Sequence, residues 1–104
     1  MIKHIVLLDL SRGHDQAELS SVMAGLDALR AQISGFADFM HGPNRDFEQL
    51  SQDCTYAFIC QFSDRASAQA YLVNKEHQAL GKRLVALCHG GVGGLRVIDM
   101  EVGA

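Results

Sequence analysis

The β-type stretches of this chain are apolar on both faces, and no other feature restricts its possible folds as tightly. In the opening segment MIKHIVLLDL, His4, Val6 and Leu8 point one way and Ile5 and Leu7 the other, because successive strand side chains alternate. In CTYAFICQF, residues 54–62, a face of Tyr56, Phe58, Cys60 and Phe62 opposes Ala57 and Ile59. In LRVIDMEV, residues 95–102, Leu95 and Val97 oppose Ile98, Met100 and Val102. An antiparallel sheet with one wet face alternates apolar with polar residues, and these strands do not. Helices can cover one face, but a chain of 104 residues has nothing left for the other. A second copy of the chain is the simplest cover for what would otherwise be a large sticky patch. The expectation is a homodimer packed sheet face to sheet face.

The remaining segments order themselves around these strands. Residues 2–10 read as the first strand. From Gln16 to Ile33 the positions Leu19, Val22, Met23, Leu26, Leu29 and Ile33 form a helical stripe, with Asp15 as N-cap and Gly35 just past the end. A second strand follows at 36–42, then a polar loop containing the only proline. After the strand at 54–62, Ser63 caps a helix to about Val73; Asn74 and Lys75 interrupt it, and a second helical piece runs from Glu76 to Cys88. The glycine-rich HGGVGG, 89–94, leads into the last strand. Strand, helix, strand, strand, broken helix, strand is an α+β order. It predicts one ferredoxin-like domain over 1–104, a four-stranded, largely antiparallel sheet with helices on one face.

Composition narrows the function. At 48% hydrophobic and 20% charged residues, the chain can build a core. A net charge of -3 without a basic run argues against nucleic acid as a partner. The apolar run Ile5–Leu8 is too short for a membrane span or a signal peptide, so a cytoplasmic location is expected. There are three cysteines and no CxxC. Cys54 and Cys60 would lie roughly 20 Å apart along a strand, too far for a disulfide, and all three are read as reduced. His4, His14, His41, His77 and His89 form no HxxxH or HxH pair, so no metal site is expected. HGGVGG lacks the Gly-Lys-Ser/Thr of a P-loop and precedes a strand; no cofactor is expected.

The chemistry centres on YLVNKEHQALGKR, residues 71–83. His77 heads a helical face with Leu80, Gly81, Leu84, Leu87 and Cys88. A titratable ring is therefore aimed where leucines go. Either it plugs the core against a hydrogen-bonding neighbour, or it looks into a pocket. A histidine near its ordinary pKa of about 6.5 can take or give a proton at neutral pH. The phenol of Tyr71 can orient that ring or hydrogen-bond a substrate carbonyl. His4, in the first strand, is either a packed core histidine or a pocket wall near His77.

MIKHIVLLDL, ISGFADFMHGPN, CTYAFICQFSDRASAQAYLVNKEHQALGKRL and LRVIDM, in this order along nearly the whole chain, resemble the stress-responsive α/β-barrel (Dabb) family. The resemblance implies a ferredoxin-like protomer in a dimeric α+β barrel whose two sheets face each other. Many members have no known activity, some plant members are stress-associated, and one is a polyketide cyclase that performs an intramolecular aldol condensation. The resemblance implies that its catalytic tyrosine and histidine fall at Tyr71 and His77, and its first-strand histidine at His4. Tyr56 stands where its third-strand histidine would be, and Asn74-Lys75 where the family usually has His-Pro. Two functions follow as expectations. One is binding of a small apolar or carbonyl ligand near Tyr71 and His77, with His4, Tyr56 and Leu80 lining the pocket. The other is a cofactor-free acid–base enzyme, a polyketide-cyclase-like lyase using His77 and Tyr71.

Overall fold

The computed structural model describes residues 1–103. Its elements are β1 (Ile2–Leu8), α1 (Gln16–Ala28), a short 3-10 turn (Leu29–Ala31), β2 (Phe36–Pro43), β3 (Tyr56–Phe62), α2 (Arg65–Val73), α3 (Lys75–Val85), a second 3-10 turn (Gly91–Gly94) and β4 (Leu95–Glu101). The sheet order is β2-β3-β1-β4, and every pairing is antiparallel. This is the ferredoxin-like α+β arrangement expected from the sequence.

Register explains which side chains meet. Val6, Phe58, His41 and Val97 lie in one row across the four strands, and His4, Cys60, Phe39 and Asp99 in the next. Both rows point towards the helices, where Val6, Phe58 and Cys60 are buried with Val22, Met23, Leu26 and Leu29. The opposite face carries a row of Met40, Ile59, Ile5 and Ile98. Among the described residues no helix lies there, and Met40 and Ile98 are about half exposed, at 47% and 51%. β4 stands out because it is exposed along almost its whole length.

Local chemistry sets the helix ends. Asp15 caps α1 by accepting from the Glu18 amide, as the sequence suggests. The cap of α2 is Asp64 rather than Ser63, since its carboxylate accepts from both the amide and the hydroxyl of Ser67. Gly35 follows the α1 region at φ +85°, a conformation that costs other residues strain. A Cβ there would also collide with the Ser67 hydroxyl. Gly35→Ala should therefore lower stability by about 1–3 kcal/mol, read as a fall in the urea midpoint at unchanged m-value. An unchanged midpoint would show that the turn relaxes freely.

Candidate functional site

The site begins with a pair of facing strand positions. β1 and β4 place His4 opposite Asp99 on the helix side. His4 Nδ1 donates to Asp99 Oδ1 at 2.6 Å. His4 is 7% exposed, while the Asp99 side chain is 58% exposed. The carboxylate thus fixes the ring orientation and leaves Nε2 as the free nitrogen.

α2 supplies the next ring. Ser67 and Tyr71, one turn apart, are its buried residues, so Tyr71 lies over the sheet. Its ring centroid is 5.6 Å from that of His4, in an edge arrangement. Phe36 and Phe62 pack against it as well. Its oxygen sits 3.7 Å from Cys60 Sγ, on the core side.

Asn74 then turns the chain. It is both the last cap of α2 and the first of α3, with ψ 129°, and its side chain accepts from the His77 amide at 2.9 Å. That cap starts a new helix at an angle, and His77, its third residue, folds back over Tyr71. The two ring centroids are 3.9 Å apart at 34°. The pair is stacked rather than hydrogen-bonded. His77 Nδ1 is buried and has no hydrogen-bond partner.

Two cavities meet at this cluster. One of about 250 Å³ reaches His77, Gly81, Leu84 and Val97. The other, of about 280 Å³, opens past Ile2, Ala68, Arg65 and Gln69. They share His4, Tyr71, Leu72 and Asp99 as a common wall. The exposed β4 lines both, through Asp99 and Glu101 in one and Leu95, Val97 and Asp99 in the other.

The electrostatics suit a neutral imidazole. Burial, and next the charge on His4 when that ring is protonated, push the His77 pKa below its ordinary value; the carbonyls of Leu72 and Tyr71, near the ring but outside hydrogen-bonding geometry, oppose this more weakly. Burial also holds the Tyr71 phenol far above its usual range, with Cys60 adding to the shift, so it stays protonated. Burial pushes the Cys60 thiol up to about 12. All three cysteines are free and buried, and raised pKa values make them poor nucleophiles.

Of the residues read from the sequence as site candidates, His4, Tyr71 and His77 meet at one cavity wall. Tyr56 does not line either cavity: it lies two rows away and bonds His41 at 2.6 Å. Leu80 is 8% exposed and packs towards Gly25 of α1, so it belongs to the helix–helix contact and not to the cavity. Asp99 was not anticipated. Its only sequence signal is its position in the last strand, which becomes informative once the register with His4 is known.

The family model described as Stress Responsive A/B Barrel Domain matches residues 2–102. A dimeric ferredoxin-like protein of unknown function from Jannaschia sp. CCS1 is 42% identical, with a TM-score of 0.91, covering 97% of this chain and 98% of that one. Hydroxynitrile lyase from Passiflora edulis shares 13% identity at a TM-score of 0.81, covering 98% and 93%. SnoaB, a cofactor-independent oxygenase from Streptomyces nogalater, shares 18% at 0.74, covering 99% and 93%. The last two likenesses are of fold alone. Among curated proteins none matches the chain.

Proposed function

The chain belongs to the stress responsive A/B barrel domain family, and on that footing we propose that it binds a small, mostly apolar carbonyl compound between sheet and helices and moves a proton on it. The observation that carries this reading is His77: its Nδ1 is buried, unpartnered, and part of a ring that borders an open cavity. A buried polar atom without a partner costs roughly 1–3 kcal/mol. A small turn of the ring towards the cavity lets a ligand hydroxyl or enol donate to it and offsets that cost.

Three groups divide the work in this proposal. His77 is the proton acceptor, neutral at pH 7 because burial lowers its pKa. His4, oriented by Asp99 at 2.6 Å, is the second acid–base group and reaches the same space. Tyr71 stands between the two rings and holds their spacing. Apolar walls from Val6, Leu84 and Val97 lower the polarity around the ligand, which strengthens hydrogen bonds to a developing enolate. The relatives of this fold include a lyase and a cofactor-independent oxygenase, which is compatible with chemistry done by side chains alone. The functional unit is proposed to be a homodimer through the open sheet face, in keeping with the dimeric protein from Jannaschia.

The test is His77→Gln and His77→Ala, measured by calorimetric binding of acetophenone and 4-hydroxyacetophenone and by thermal unfolding. Both variants should fold with small losses and bind at least about 10-fold more weakly. Binding to the parent should also weaken as pH falls through the depressed pKa of His77, below the ordinary histidine range. Because the folded pKa is depressed, the folded state binds fewer protons than the unfolded one, and this part of the stability is lost as pH falls from the unfolded pKa through the folded one. A parent that binds neither compound, with an alanine variant losing about 2 kcal/mol or more, would instead make His77 a core plug.

A further inference from the structure

We infer that the loop joining β2 to β3, residues 44–55, is a clamp that completes the pairing of two copies, burying Phe47 and Leu50 against the partner copy. The inference rests on the sheet-to-sheet pairing proposed above.

Phe47 and Leu50 are the most exposed large apolar side chains of the protomer, at 93% and 83%. They do not ride on a loose segment. The Asn44 amide group donates to the Ser51 hydroxyl at 2.8 Å and to the Cys54 carbonyl at 2.7 Å. The Asp46 carboxylate accepts from the amides of Leu50 and Ser51 and from the Ser51 hydroxyl. Asp46 and Gln49 are held at φ 47° and 58°, which non-glycine residues adopt at a cost. Arg96, on the open face of β4, ties the loop down through Asp53 at 2.6 Å. A braced, strained loop therefore presents two apolar side chains to water.

The surroundings select the occupant. A groove of about 710 Å³ is lined by Phe47 and Leu50 of the loop and by Leu7 and Ala57 of the sheet. Leu7 and Ala57 are paired neighbours on the open sheet face. The groove is thus continuous with the apolar row of Met40, Ile59, Ile5 and Ile98, one row further along. A two-fold interface buries the same patch on both copies, so a loop at the margin of that face meets the partner twice, once from each side. The 42% identical relative is dimeric, and a second copy is the occupant that accounts for the face and the loop together.

The experiment is sedimentation equilibrium of the parent, of Phe47→Asp/Leu50→Asp, and of Ile98→Asp. Both loop positions are exposed in the protomer, so circular dichroism of the double variant should match the parent. Its dimer dissociation constant should rise at least about 100-fold. Phe47→Cys should react slowly with a maleimide in the dimer and rapidly once dilution separates the copies. A double variant that dimerises within about threefold of the parent, while Ile98→Asp dissociates, overturns the clamp and leaves the pairing standing. A monomeric parent overturns both.

Discussion

Truncating Tyr71 to alanine is expected to remove about 3–5 kcal/mol of folding stability, close to half of what a domain of this size holds. Tyr71 is the largest of the fully buried side chains, 1% exposed, and it is packed by Phe36, Phe62, His4 and His77. Removing it empties the junction where α2, α3 and the sheet meet, and the His77 ring loses the surface it stacks on. Tyr71→Phe keeps the ring and deletes only the oxygen, whose partner is the Cys60 thiol at 3.7 Å. That bond is weak, and its loss should cost about 1 kcal/mol or less. The two variants together separate packing from chemistry. If Tyr71 acts by holding His77 and His4 apart, the phenylalanine variant should keep ligand affinity within a few-fold. Loss of binding or turnover by about 100-fold in that variant, at parental stability, would make the phenol itself a participant. Urea unfolding and calorimetry of both variants decide the matter.

Side-chain alternation made the architecture legible, whereas the partners within the site depend on registers that alternation does not specify. The parity of Tyr56, Phe58, Cys60 and Phe62 placed one face of β3 towards the helices, because a slip of one residue would turn the whole set outward. The helical spacing of Leu80, Gly81 and Leu84 placed His77 on an inward stripe for the same kind of reason. Nothing along the chain says that Asp99 sits opposite His4, since residues 95 apart meet only through the β1–β4 register. Nor does spacing show that Asn74 caps two helices, one ending and one starting. Sequence placed Tyr56 on the correct face, but the sheet has four rows on that face, and its row ends at Leu8 and Leu95 rather than at His4. Leu80 shares the stripe of His77, yet the approach of α1 at Gly25 turns it into helix-packing.

The row of Met40, Ile59, Ile5 and Ile98 leads to the prediction with the widest consequence. Parent protein at micromolar concentration should sediment near twice 11.3 kDa, and Ile59→Asp should sediment as the 11.3 kDa protomer. Ile59 is central in the row, with Met40 on one side and Ile5 on the other. The neighbouring row of Asp38, Gln61, Lys3 and Met100 is more polar, as the rim of an interface is. Two-fold symmetry places the new carboxylate in the interface twice. Burying each one unpaired costs several kcal/mol, so the dimer should weaken by at least about 1,000-fold. The side chain does not enter the protomer core, since it points away from the helices, so the variant should remain folded by circular dichroism. The thermal midpoint should fall and cease to depend on concentration, because stabilisation by association is lost. A variant that still sediments as a dimer would remove the sheet face from the interface; a parent that runs as a clean monomer would leave the apolar row without the cover that its composition demands.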